Sequence, residues 1–521
     1  MKRAAPVLIV ALAAACGGGG GGGAAANGSP LVRVSAPTPF AADCGGSGQA
    51  GTLYPNAEVE PHVAANPARP GNLIGVWQQD RWSNGGAQAL MTAASFDGGA
   101  SWTAPAGLRT DRCAGGSAAD GANYQRASDP WVTFAPDGTA YASSLSFTGG
   151  VQVAGSSNGI LVVRSTDGGR SFGEPAVLIA DGSDAFDDKD SITADPTDAS
   201  FVYAVWDRPS TNTNGPTYAA RTADGGLSWE PARAIYDPGS TSQTIGNVIA
   251  VLPDGTLLDL LTQIDTASDG SKASFLAVVR SLDHGATWSG SVRVADLEAV
   301  GVTDPQTHKP VRDGAGLGQI AVTPSGQALV VWQDARFSGG DHDGVALSRS
   351  TDGGLTWSAA VQVNGAPQAQ AFTPTVAVSP DGSIAVTYYD SRDDTASGNT
   401  FLTDVWLAES SDGGATWSES QIAGPFDLDL APDSDGLFLG DYQALAGGAA
   451  GFAPFFVQTT AAKSNRTDVF VLPEGSAGAG ALSSTELRVA APAAPLVPRA
   501  DFARRVSDRL TRLVTSRRRG R

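Results

Sequence analysis

The chain has 521 residues, 41% of them hydrophobic and only 17% charged, with 65 Gly and 31 Pro. That is enough apolar material for a large core and an excess of turn formers over average usage, which excludes a disordered chain, a collagen and a coiled coil. Acidic residues outnumber basic ones by 53 to 34, a net charge of −19, so no nucleic-acid partner is expected, because phosphate binding demands a basic footprint.

The first predicted element is an address rather than a fold. Lys2 and Arg3 precede an apolar run over residues 4–15, shorter than the roughly 20 residues of a spanning helix. The run ends in Leu12-Ala13-Ala14-Ala15-Cys16, which resembles a bacterial lipobox with its Leu one place early, and a Gly tract follows at 17–23. Residues 1–16 are therefore expected to be a lipoprotein signal peptide with Cys16 as the lipidation site. The protein would then be exported and membrane-anchored, at the cell surface or in the periplasm. The alternative is an ordinary cleaved signal with Cys16 incidental. Residues 17–54 form a Gly-rich tether and N-terminal segment. After Cys16 only Cys44 and Cys113 remain, and in an oxidising compartment they are expected to pair with each other. They are too few for a structural zinc site, and His62, His284, His308 and His342 fall in no metal-ligand spacing.

From residue 55 the chain repeats itself. One motif recurs six times, as Ser95-Phe-Asp97-Gly-Gly-Ala-Ser101-Trp102 and around Asp167, Asp224, Asp283, Asp352 and Asp412, at Asp-to-Asp spacings of 70, 57, 59, 69 and 60. Its physics is that of a hairpin tip. The carboxylate accepts from nearby backbone N–H groups, the Gly positions supply φ > 0, and the closing aromatic folds back between sheets. The boxes are read as structural. Between them run β-rich segments broken by Pro-Asp-Gly-like turns, such as Val248-Ile-Ala-Val-Leu-Pro253-Asp-Gly, giving four strands per unit.

The six boxes resemble the Asp box, or BNR repeat, of the sialidase-like propellers. The resemblance covers residues 55–472 and implies an all-β propeller of four-stranded antiparallel blades. A seventh unit without a box lies at 441–471, with Leu31-Val-Arg-Val34 as its expected fourth strand. Seven blades are expected, or six if two units share a blade. Residues 473–498 are an Ala/Pro/Gly linker with a stray strand near Leu487. Residues 499–521 are a basic tail of nine Arg, in which Phe502, Val506, Leu510 and Val514 recur every four residues, either as an amphipathic helix or as a solvated end.

Propeller topology sorts residues by face. Starts of first strands and ends of second strands share the face opposite the boxes. Glu60, His62, Asp129, Trp131, Asp188, Asp190, Asp441 and Tyr442 lie at the former. Asp80-Arg81, Asp207-Arg208, Asp334-Ala-Arg336 and Asp390-Ser-Arg392 lie at the latter. The Asp–Arg recurrence reads either as salt bridges on a wet rim or as guanidinium forks that grip an anionic ligand.

Active members of the resembled family use an Arg triad, a Tyr nucleophile backed by a Glu, and an Asp acid/base. Here the place of the first Arg is taken by Glu60-Pro61-His62, and later first-strand starts offer Gly246, Leu317 and Thr373. Tyr442, Asp129 and Arg81 are the catalytic candidates. Glu60, His62, Trp131, Asp190, Arg208, Arg336, Arg392 and Asp441 are the binding candidates. The missing Arg favours a propeller that binds a glycan or protein partner. The alternative is a sialidase-like exoglycosidase with an altered site. No cofactor is required, although the acidic runs at 184–190 and 427–435 suggest calcium.

Overall fold

The computed structural model describes residues 31–396, 398–462, 464–476, 484–488 and 504–506. The signal segment with Cys16, most of the linker and most of the tail lie outside the described residues.

Strand and turn alternate as the repeats predict, and the strands can be taken as seven antiparallel units of four, the first two joined into one eight-stranded sheet through the pairing of Ala87 with Ala127. Unit one is Val59–Ala65, Leu73–Arg81, Ala87–Ser95 and Ala106–Gly107. Unit two is Arg126–Phe134, Ala140–Thr148, Ser157–Ser165 and Ala176–Asp181, and unit three Asp188–Ala194, Val202–Asp207, Thr217–Thr222 and Arg233–Tyr236. Unit four is Ser242–Val251, Leu257–Thr266, Lys272–Ser281 and Val292–Asp296, and unit five Gln319–Val322, Ala328–Asp334, Gly344–Ser350 and Val361–Gln362. Unit six is Ala371–Val378, Ile384–Asp390, Leu402–Ser410 and Thr416–Asp427. Unit seven is Ala444–Gly448, Gly451–Ala462, Asn465–Val471 and, from the other end of the chain, Val32–Arg33. The outer strand of unit six is extended by Ser484–Arg488, which is the expected strand near Leu487.

The first strand of each unit packs beside that of the next, and the first strand of unit seven packs beside that of unit one. Second strands lie deep in the molecule. Every residue of Leu73–Arg81 is buried, and the equivalent Trp77, Trp206 and Trp332 have no exposed surface. The apolar clusters lie between units, so each sheet buries both faces against its neighbours.

The boxes are built as their chemistry predicts. In box one Asp97 Oδ1 accepts from the Ser101 N–H at 2.8 Å and Oδ2 from the Ser101 hydroxyl at 2.5 Å. The other five repeat this with Ser171, Ser228, Thr287, Thr356 and Thr416. The Ser/Thr hydroxyl leads the causes that bring Asp224, Asp283, Asp352 and Asp412 down to about 2. The Trp residues fold back, with Trp102 Nε1 donating to the Gly99 carbonyl at 3.0 Å and Trp288 Nε1 to the Gly285 carbonyl at 3.1 Å.

A latch that the Asp-box repeat itself does not contain joins neighbouring units. An Arg stands immediately before the box in units two to five, at 164, 221, 280 and 349. Arg221 donates to the Asp283 and His284 carbonyls in the box of the next unit, and Arg349 to the Gly413 carbonyl at 2.8 Å. Cys44 and Cys113 form the expected disulfide, tying the N-terminal segment to the connection after box one.

Candidate functional site

The face opposite the boxes is shaped by one repeated backbone device. Near its start, the first strand of units one, two, three, four and six slips register, and one residue there takes the left-handed conformation. These residues are Glu60 (φ 51°), Asp129 (52°), Lys189 (55°), Gly246 (72°) and Thr373 (49°). A bulge interrupts strand alternation, so it re-aims a side chain that the ladder would send between sheets. Side chains from separate units thereby meet at a common mouth.

An ion network occupies one side of that mouth. Lys189 Nζ lies 2.9 Å from Asp129 Oδ1, 2.7 Å from Asp441 Oδ2 and 3.7 Å from Glu60 Oε1. Arg312 Nε donates to Asp441 Oδ1 at 2.8 Å, and its Nη2 donates to Oδ2, a bidentate pair. Arg312 arrives on a segment between units four and five. There Val311–Arg312 runs parallel to Leu437–Phe438.

Burial raises the Asp441 carboxyl, but Arg312 and then Lys189 overcome it and hold the group well below the usual range. Burial moves Glu60 the other way, to about 7, against the pull of Lys189. Asp190, buried beside Asp129, is also pushed well up, mainly by desolvation.

Arg81 forms the floor rather than a grip. Only 1% of it is exposed. Its Nη1 donates to Gln78 Oε1 at 2.7 Å and its Nη2 to Ser434 Oγ at 3.1 Å. Gln78 in turn donates to Glu60 Oε2 and, at 2.9 Å, to Ser128 Oγ. The Phe438 ring lies between two guanidinium groups, 4.5 Å from Arg81 and 4.6 Å from Arg312. Burial, reinforced by Arg312, lowers the Arg81 guanidinium to about 10.

Of the two readings of the Asp–Arg recurrence, ion pairs are present at three of its four positions. Arg208 pairs with Asp181 at 2.7 Å and lies 3.6 Å from Asp187. Arg336 pairs with Asp334 at 2.8 Å. Arg392 pairs with Asp390 and Glu419 and covers the Trp406 ring at 3.4 Å. Arg336 and Arg392 are taken up by carboxylates of their own units and Arg208 by Asp181 at the end of unit two, the salt-bridge alternative. Asp80 accepts from Thr38, Asn56 and Gln88 instead of Arg81.

Tyr442 is buried and donates to the Pro130 carbonyl at 3.0 Å, not to a carboxylate. Burial, then the surrounding carboxylates, raise its phenol well above the ordinary value. Its ring meets Trp131 edge-on at 5.2 Å, and Trp131 stacks on His62 at 3.9 Å. Desolvation takes the His62 imidazole down to about 3.

Of the residues singled out from sequence, Glu60, His62, Asp129, Trp131, Asp190, Asp441 and Tyr442 therefore converge, with Arg81 beneath them. Lys189, Arg312 and Gln78 were missed. Lys189 had a signal, as one of five Lys in the chain, set between two Asp at a first-strand start. Arg312 had one too, because boxes four and five stand 69 residues apart where neighbouring spacings are 59 and 60.

Among the described residues no group of three or more His, Cys, Asp or Glu is placed to hold a metal ion. In the acidic runs that suggested calcium, Asp187 accepts from Trp206 Nε1 at 2.7 Å and Asp427 accepts from the Asp429 N–H. At the mouth the Lys189 ammonium already sits among three carboxylates.

A circuit of Asp-box sheet units, stabilised on one face by its hairpins and carrying an ion-paired mouth on the other, defines the class of protein. Residues 203–441 match the family model described as a BNR repeat-like domain. A sialidase of Micromonospora viridifaciens is 30% identical over 224 residues, 38% of this chain and 34% of that protein, so the chain spans about a third of that relative's length. Among solved structures, a Penicillium chrysogenum alpha-L-arabinanase complexed with arabinobiose aligns at 14% identity and TM-score 0.45, covering 85% of this chain and 97% of that one. A Dyadobacter fermentans protein of unknown function aligns at 14% identity and TM-score 0.44, covering 85% and 98%. Over residues 203–441 the chain is thus similar to BNR repeat-like domains, and over 224 residues to a sialidase.

Proposed function

We propose that the seven units are the blades of a seven-bladed propeller, with the N-terminal strand completing the last blade, and that its mouth binds an acidic glycan. One observation carries the binding reading. Lys189, Asp441 and Arg312 come from three distant parts of the chain and are joined in one ion-paired surface. Arg312 commits its Nε and one Nη2 hydrogen to Asp441, which leaves both Nη1 hydrogens and the second on Nη2 as donors. A sugar carboxylate would engage those donors and the Lys189 ammonium, while Asp129 and Asp441 accept from sugar hydroxyls.

Calorimetric titration with a sialyl-oligosaccharide tests this. Arg312→Met should weaken binding by about ten- to a hundredfold, the loss of one charge-assisted contact. A variant that binds as tightly as wild type would contradict the reading.

A second reading, an exoglycosidase, is favoured by the opposite displacement of two carboxyls on one ammonium. Glu60 is raised to about 7 and Asp441 is held low, the separation that assigns an acid and a permanently ionised partner. Turnover of a fluorogenic sialoside that vanishes in Glu60→Gln would support it. Binding without turnover would support the first reading. We also propose that export and lipidation of Cys16 hold the propeller at a membrane. A Cys16→Ser form should then move to the aqueous phase of a detergent extraction, and unchanged partitioning would contradict the anchor.

A further inference from the structure

The mouth has a second arc of different chemistry. In unit four the bulge residue is Gly246, and the space a Cβ would fill is taken by Leu317, whose Cδ2 would lie only 2.4 Å away. Ile245 and Ile264 are buried here, and Leu317 and Val506 pack against them. Val506, in the helical turn 504–506, also packs against buried Val300 and Ala335. Beside it the Arg505 guanidinium donates to the Gly340 carbonyl and, from Nη1 and Nη2 at 3.2 Å each, to the Asp341 carbonyl. Arg505 thereby becomes one wall of a cleft of about 500 Å³, lined also by His308, His342, Gln368 and Gln370.

We propose that the C-terminal segment, through Arg505 and Val506, is an intramolecular ligand of this arc that shields its apolar side. The contact is bimodal in the way a specific docking site is. An apolar residue enters an apolar cluster while the adjacent guanidinium saturates two main-chain carbonyls that would otherwise face water. The occupant also suits its surface by charge. Nine Arg lie between 499 and 521 in a chain of net charge −19, and opposite charge favours association of the two.

The test uses the full chain carrying Cys16→Ser, so that no unpaired native thiol remains. A Leu317→Cys, Val506→Cys pair should cross-link on mild oxidation, whereas either single variant should not. Independently, Leu317→Cys alone should react with a maleimide about tenfold faster when the chain ends at residue 498, because a segment seated nine-tenths of the time lowers access by that factor. Absence of the cross-link together with equal labelling rates would overturn the proposal. Neither readout involves a glycan, so its failure is distinct from a failure of the glycan-binding reading.

Discussion

The two arcs of the mouth solve the same geometric problem with opposite chemistry. Units one, two and three place Glu60, Asp129 and Lys189 at the bulge, and Asp441 precedes the first strand of unit seven; there the inward side chains neutralise one another as ions. Unit four places Gly246 at the same position, and the vacated space is filled by Leu317 and approached by Val506. The contrast teaches that, in the five units that carry it, the bulge is the shared device and the residue on it is the variable. Each bulge re-aims whatever side chain it carries, so one side of a mouth becomes a charged surface and another an apolar seat without a change of scaffold.

The comparison breaks most completely at Lys189. Lys189→Met leaves Glu60, Asp129 and Asp441 around a missing cation, and should cost about 3–5 kcal/mol, the range for removing one partner of a buried pair. Urea unfolding should show the loss, and Lys189→Arg should restore part of it.

Glu60→Gln sharpens the contrast through pH. The Glu60 carboxyl is raised from 4.5 to about 7 in the folded chain. It therefore gives full stability below about 4.5 and loses it as pH rises to about 7, because only the unfolded chain ionises in that window. The loss amounts to about 3 kcal/mol at most. In Glu60→Gln, unfolding free energy should be flatter between pH 4.5 and 7. Asp441, depressed, acts in the other window and loses its stabilising share only as pH falls below the ordinary carboxylate range.

Asp259 gives the converse case. It is wholly buried on the second strand of unit four, desolvation pushes its carboxyl well up, and neither oxygen meets a partner among the described residues. Asp259→Leu should stabilise the chain at pH 7 by about 1–3 kcal/mol, the penalty of an unsatisfied buried polar group. Thermal unfolding at pH 5 and pH 8 should show the gain growing with pH, since a raised carboxyl costs more as pH rises toward its folded value. The smallest effect is expected away from the mouth. Arg349→Ala removes one bond to the Gly413 carbonyl, and should cost about 1 kcal/mol in thermal unfolding without altering ligand binding.

The scaffold was legible because it is written locally. Ser95, Asp97, the Gly pair, Ser101 and Trp102 make a hairpin tip from within eight residues, and six copies at similar spacing announce the units. The pairing of the N-terminal strand with the seventh unit was legible as well, because that unit lacked one strand and the segment near Val32 was free to supply it. The mouth was legible only in part. Sequence placed Glu60, Asp129, Asp190, Asp441 and Tyr442 on the right face, but it did not choose their partners. Asp80 and Arg81 adjoin in sequence, yet one serves Thr38, Asn56 and Gln88 and the other Gln78 and Ser434. Lys189 and Asp441 lie 252 positions apart and share an ion pair at 2.7 Å. Partner choice of that kind is set by where bulges converge in space, and no local pattern marks Glu, Asp or Lys as a left-handed residue.

The pairing of Val32 with Val471 and of Arg33 with Phe470 has a consequence for how the molecule is made. Val34 N–H donates to the Val469 carbonyl at 2.9 Å, and Ser35 Oγ to Asp468 at 3.1 Å. Val32–Arg33, the first strand among the described residues, is thus unable to find its neighbour until more than 430 further residues have followed. At typical elongation rates that wait lasts roughly half a minute or more. Throughout it the strand presents an unsatisfied edge to chaperones and proteases. A chain interrupted anywhere before Asn465 keeps that edge exposed, so this pairing distinguishes a chain that has reached unit seven from one that has not.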